Sequence, residues 1–180
     1  PQNTDQGRVT MTPDIVGVQW EQVLLYPAGY PASRIPVNAS LTLPTGWQAA
    51  TSLEVASRDV DRIRYRTTSL ETLIDSPVFS GRHSRREDLD PGSAVPVHLT
   101  VFADSPDEVV IAADQLAIHR KLVQEAFLVF GSKPFERYEF LLATSNSFGG
   151  IGLEHRRSSE NAVRAGYFKN WDRTVTRRSL

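Results

Sequence analysis

Apolar and polar residues alternate through much of the first half of the chain. Ile35, Val37, Ala39, Leu41 and Leu43 are separated by Asn38, Ser40 and Thr42, the period of a strand with one buried face. Pro44, Thr45 and Gly46 then turn the chain. Val16 to Tyr26 is rich in β-branched and aromatic residues and stops at Pro27, while Ile63, Tyr65 and Thr67 alternate with Arg62, Arg64 and Arg66; both patterns predict strands. Leu70 to Ile74 is a short apolar cluster, and Pro77 disfavours a helical Ser76 after it.

The second half reads differently. SGRHSRREDLDPG, from Ser80 to Gly92, mixes arginines with acids and closes on Pro-Gly, which predicts a loop and a domain boundary there, with a β-rich domain over 1–88 and a second over 89–180. Val95, Val97, Leu99, Val101 and Ala103 predict another strand, with Pro96 near its start or at a sheet edge. Ser105, Pro106 and Glu108 have the spacing of a capping box, and Gly131 is a natural stop, so a helix is expected from Pro106 to Phe130. Its apolar side would carry Val109, Ala112, Leu116, Val123, Phe127 and Phe130. Tyr138 to Ala143 is apolar at nearly every position, as in a strand covered on both faces. The order strand, long helix, strand points to a mixed second unit, and the whole to an α+β chain.

Composition narrows the chemistry. At 180 residues and 40% hydrophobic content, the chain is long enough to bury roughly 70% of its unfolded surface without staples. Its 20 basic and 21 acidic residues give a net charge of -1, which removes the bulk electrostatic argument for a nucleic-acid or membrane partner. With no cysteine, thiolate zinc, iron-sulfur and cysteine-nucleophile chemistry are excluded. His83, His98, His119 and His155 are far apart and no HExxH occurs, so no zinc site is expected within the chain. His119 lies on the helix's apolar side as a packed or interface histidine, and His98 faces away from Val97 and Leu99.

One segment stands apart. Gly149, Gly150 and Gly152 fall within four residues and lead to Glu154 and His155. Glycines at this density fit a hairpin or bulge, or a place where another backbone comes close. A phosphate-cradling loop is excluded, since GxxxxGK[ST] is missing and His155 takes the third glycine position of GxGxxG.

GGIGLEHRRSS, with KPFERYEFLLATS before it and LIDSP farther upstream, resembles the glycyl aminopeptidase family, family sixty-one of the metallopeptidases and distant relatives of aminopeptidase N. The resemblance implies a β-sandwich segment followed by the opening sheet and long helix of a thermolysin-like catalytic domain. It implies a zinc-dependent aminopeptidase that removes N-terminal residues from peptides, with small ones, Gly or Ala, favoured. Gly149 and Gly150 would present the backbone of an edge strand to the substrate, and Glu154 would hold its free α-ammonium group. The family's HExxH would lie beyond Leu180, so this chain is expected to be a fragment, inactive alone, with zinc in the parent and none here. Its expected partners are a peptide with a free N-terminus and the remainder of its own catalytic domain. A periplasmic or secreted parent is favoured if it carries a signal peptide.

Two readings compete with this one. Residues 154–180 hold seven basic residues against Glu154, Glu160 and Asp172, with Tyr167, Phe168 and Trp171 interleaved, a pattern that suits single-stranded nucleic acid or simply a solvated connection. Trp20 and Trp47 would serve a carbohydrate-binding β-rich module if their rings were exposed, but burial in a core is the expectation for them.

Overall fold

The computed structural model describes residues 10–149 and 152–171. In chain order the elements are β1 (Ile15–Val18), β2 (Pro36–Val37), β3 (Ser40–Thr42), β4 (Gln48–Ala50), β5 (Val55–Arg58), β6 (Arg62–Tyr65), β7 (Thr68–Ser69) and the short helix α1 (Leu70–Ile74). They continue with β8 (Val78–Gly81), β9 (His83–Asp88), β10 (Val97–Ala103), the long helix α2 (Ala113–Phe130), β11 (Tyr138–Thr144), β12 (Gly152–Glu154) and β13 (Ser158–Val163). The chain is α+β, with a β-rich first part.

That first part is built from three small sheets, ordered β1-β8-β4, β3-β6-β5 and β2-β7. Ile63 and Tyr65 point inward from β6 while Arg62 and Arg64 point out, as their alternation predicts. They join Trp20, Leu43, Leu70 and Leu73 in one core, and Ile35, Val37, Ala39 and Leu41 pack against it. Each such aliphatic side chain contributes about 1.5–3 kcal/mol when buried. Trp20 is buried and donates its indole N–H to the Ser76 carbonyl at 2.8 Å. Trp47 packs on the same core.

The second part is one five-stranded sheet, ordered β12-β13-β11-β10-β9. β11 runs parallel to both β10 and β13, and the outer strands β9 and β12 run antiparallel to their neighbours. β11 is covered on both faces, and its successive leucines show how. Leu142 joins the cluster on the α2 side with Leu99, Val101 and Val123, whereas Leu141 packs with Ile15, Phe79, Phe102 and Phe148 toward the β-rich part.

Four local expectations are corrected. The alternating stretch from Ile35 to Leu43 forms two strands, because β2 pairs with β7 and β3 with β6. Val16 to Tyr26 is a strand only to Val18, after which Trp20 enters a 3-10 turn and its side chain dives into the core. The expected loop over Ser80–Gly92 is largely strand, with β9 held along one edge of β10; the charges of Arg85, Arg86, Glu87 and Asp88 suit an outer strand. Lastly, the long helix begins at Ala113, and Pro106–Val109 is a separate 3-10 turn. Ser105 makes no side-chain cap there. Glu108 instead accepts hydrogen bonds from Lys169 at 2.6 Å and from the Gly166 N–H, while Gln115 accepts the Ala112 N–H at 2.9 Å. Gly131 ends the helix as expected, in the left-handed region at φ 67°.

The buried stripe of α2 carries Gln115, His119 and Val123, with Ile111 just before it. Phe130, expected on that face, is exposed, as are Ile118, Leu122, Leu128 and Val129. No helix among the described residues is long and apolar enough to cross a membrane.

Candidate functional site

β12 is the outermost strand of the five-stranded sheet, paired on one side only among the described residues. All three of its residues are exposed. A methyl group added at Gly149 or Gly152 would meet nothing within 4 Å, and neither residue has a positive φ. Among the described residues, therefore, no backbone angle or neighbouring atom demands glycine at these two places. Gly150 lies outside the described residues.

The approach to this strand is anchored. Ser145 closes the turn after β11, its hydroxyl accepting the N–H groups of Ser147 at 3.0 Å and Phe148 at 2.9 Å while donating to Asp104. Asp104 in turn accepts from Thr12 at 2.7 Å. Phe148 is 2% exposed and meets Phe79 edge-on, 5.2 Å between ring centres.

Glu154 stands at the far end of β12 with its carboxylate exposed. Its charge reaches Tyr138, whose hydroxyl donates to the Ser158 carbonyl at 3.0 Å. Burial raises the Tyr138 pKa, a hydrogen bond with Ser159 opposes this, and the charges of Glu154 and Asp75 add to the rise. Next in sequence, His155 places Nδ1 3.3 Å from Asp75 and Nε2 3.0 Å from Glu160.

The other histidines are not brought to this place. His119 is 3% exposed, bonded through Nδ1 to the Gln115 carbonyl at 2.8 Å and flanked by Phe168 and Trp171; burial lowers its pKa against the pull of that carbonyl. It is a packed histidine, as its position on the helix predicts. His98 lies 3.1 Å from Arg86, beside the buried Glu139. Burial lowers its pKa, the Arg86 charge adds to this, and Glu139 works against both.

The described residues do not fit a zinc ion: no group of three His, Asp or Glu side chains among them could hold a metal. In the cluster around His155, Asp75 and Glu160 sit on opposite nitrogens of the ring, so the three cannot converge on one ion. Tyr167, Phe168 and Trp171, the aromatic residues of the basic segment, pack against one another and onto the core beside α2. Of that segment's cations, Arg173, Arg177 and Arg178 lie outside the described residues.

Sequence reasoning missed Asp75 and Glu160 as partners of His155, and Gln19 as a donor to Glu160. A signal was present: Glu160 lies in SSENAV, a charged residue in the middle of a strand whose first four residues are buried.

Residues 1–82 match the Peptidase M61 N-terminal domain. The match covers the β-rich part through β8 and stops where the chain passes into β9. Among solved structures, the chain is similar to an aminopeptidase N family protein from Idiomarina loihiensis, with 21% identity and a TM-score of 0.63 over 86% of this chain and 26% of that one. It is also similar to an M1 zinc metallopeptidase from Deinococcus radiodurans, with 15% identity and a TM-score of 0.51 over 83% of this chain and 36% of that one. At these identities the likeness shows the fold, an α+β chain whose N-terminal β-rich domain resembles that of M1 aminopeptidases. The chain spans well under half the length of either relative. Among curated proteins none matches it.

Proposed function

We propose that this chain supplies the substrate-binding edge of a zinc-dependent aminopeptidase that removes residues, small ones such as Gly or Ala first, from the free amino end of peptides. The observation that carries the reading is the edge of β12, open among the described residues, where Gly149 and Gly152 stand in open space and lead to the exposed Glu154. The match of residues 1–82 to a peptidase N-terminal domain supports it. In this reading the β-rich part and the five-stranded sheet are separate domains, the second of them the opening of a thermolysin-like catalytic domain. The zinc ligands belong to residues outside these 180, since the chain has no HExxH.

A peptide laid along β12 adds a strand to the sheet, its main chain bonding to the free edge. Its α-ammonium group donates charge-assisted hydrogen bonds to the Glu154 carboxylate, each worth about 1.5–3 kcal/mol. A carboxylate at the end of the strand measures a fixed distance from the start of the peptide to the bond to be cut, which selects exopeptidase action. Zinc, when bound by the remainder of the enzyme, would polarise that carbonyl and activate water.

In the intact protein Glu154→Ala should lower kcat/KM for a free-amine peptide roughly 10- to 100-fold, with zinc content and folding retained. An N-acetylated peptide, which has no ammonium to hold, should be poor with both versions. Normal cleavage of free-amine peptides by the variant would remove the amine-anchor role.

A further inference from the structure

His155 follows Glu154 directly and opens the turn from β12 into β13. Asp75, just after α1, approaches it from the β-rich part and Glu160 from β13, so each ring nitrogen faces a carboxylate. Asp75 also takes the Arg156 backbone N–H on its second oxygen at 3.1 Å, and the His155 N–H donates to the Ser158 carbonyl at 2.8 Å. Gln19, following β1, donates to the Glu160 oxygen that His155 uses, at 3.4 Å. Glu160 is 1% exposed and the His155 ring 11%, so the bond between them is made largely out of water, whereas Asp75 keeps a third of its side chain exposed. A neutral imidazole has one N–H and would turn a lone pair toward one of the two carboxylates; an imidazolium donates to both. β12 itself is short and exposed on every residue, so little of its own burial holds its end in place.

We propose that His155 is a positioning residue, which clamps the Glu154 end of β12 to the β-rich part through Asp75 and Glu160 and so fixes where the Glu154 carboxylate stands. Its consequence for catalysis rests on the amine-anchor reading of Glu154, whereas the clamp is a property of this chain alone. Glu21 and Glu71 line the same cavity of about 500 Å³ beside the ring, and Arg156, 3.8 Å from Glu71, is the cation among them. Burial opposes a charge on His155, but the hydrogen bonds and charges of Glu160 and Asp75 outweigh it and raise its pKa above the usual 6.5. With a raised folded value, the clamp is whole below the unfolded pKa of about 6.5 and is lost as pH rises through the folded one.

The test uses the intact protein with labelled histidines and amide exchange. The His155 ring should titrate above the usual value, and Asp75→Asn, which keeps the shape and removes the charge, should bring it down. Exchange at the amides of residues 155 and 156 should speed up about tenfold or more in His155→Ala and in Asp75→Asn, while amides of β10 and β11 stay protected and show that the fold is kept. A free-amine peptide should show KM raised roughly fivefold or more in His155→Gln with kcat little changed. Unchanged exchange at 155 and 156, or a His155 that titrates at or below the usual value, overturns the clamp. An unchanged KM beside an impaired Glu154→Ala overturns the positioning role. If Glu154→Ala is itself unimpaired, the amine-anchor reading fails, and the exchange and titration results still decide the clamp.

Discussion

Replacing Gly17 and Phe148 by alanine, singly and together, tests whether the turn before the glycine-rich segment rests on the β-rich part. Gly17 pairs with Phe79 across β1 and β8, and the ring of Phe148 covers it. A methyl group on Gly17 would stand 2.9 Å from Cζ of Phe148 and 3.4 Å from Cε1 of Phe79, inside the roughly 3.5–4.0 Å that carbon atoms prefer. Phe148 is 2% exposed, so its ring yields only by moving its neighbours. Overpacking of this kind costs about 1–3 kcal/mol, and replacing a strand glycine by alanine returns about 0.5–1 kcal/mol, so Gly17→Ala should lose about 0.5–2 kcal/mol net. Phe148→Ala alone should lose about 3–5 kcal/mol. Once the ring is gone the new methyl has room, and Gly17→Ala should become stabilising by about 0.5–1 kcal/mol. The coupling between the two changes is then about 1–3 kcal/mol, well above the ~0.5 kcal/mol within which independent sites add. Urea unfolding of the four versions reads it directly, provided the m-value stays constant. Additive losses would show that the Phe148 ring does not sit on Gly17.

Further predictions concern buried charge and protonation. Glu139 is 3% exposed and accepts hydrogen bonds from Arg86 at 2.7 Å and from Thr100, so Arg86→Met should cost about 2–3 kcal/mol by stripping a buried carboxylate of its cation. Arg64→Met, whose pair with Asp59 is exposed on both sides, should cost less than about 1 kcal/mol; equal losses in urea unfolding would refute the distinction. His119 has the opposite pH behaviour to His155. Its folded pKa lies below the usual value, so its contribution to stability is whole above about 6.5 and is lost as pH falls from there toward the folded pKa. The fall of the urea midpoint with acid should be shallower in His119→Gln, and equal slopes would show that the ring takes up its proton as readily folded as unfolded.

Sequence patterns were readable where a residue's neighbours lie close by and misleading where a distant partner decides. Arg62–Tyr65 declares its buried face through alternation, Tyr138–Ala143 declares two covered faces by being apolar at nearly every position but Glu139, and Gly131 marks a helix end through its backbone alone. The start of α2 could not be found this way. Ser105, Pro106 and Glu108 have the spacing of a cap, but Lys169 and the Gly166 N–H take the Glu108 carboxylate, and both come from the chain beyond β13. Likewise the charged run at His83–Asp88 has the composition of a loop, and only its pairing with β10 makes it a strand. At the site, the glycines and Glu154 were visible as a motif. The pairing of His155 was not: Asp75, although it lies in LIDSP, is 80 residues away, and Glu160 shows in the sequence only as a charge inside a strand, with nothing to name its partner.

These long-range contacts give the β-rich part a role in the proposed site that its sequence does not suggest. Phe148 is held by Phe79 and by the surface over Gly17 before the glycine-rich segment begins, and His155 is held by Asp75 where β12 ends. The ends of the segment from Gly149 to Glu154 are therefore tied to the β-rich part, while the three residues of β12 are exposed. In the proposed reading β12 offers its backbone to a substrate and so stays exposed, which leaves its position to be set from outside. Substitutions in the β-rich part that loosen either tie should thus weaken peptide binding without touching the peptide, and those far from both ties should leave it unchanged.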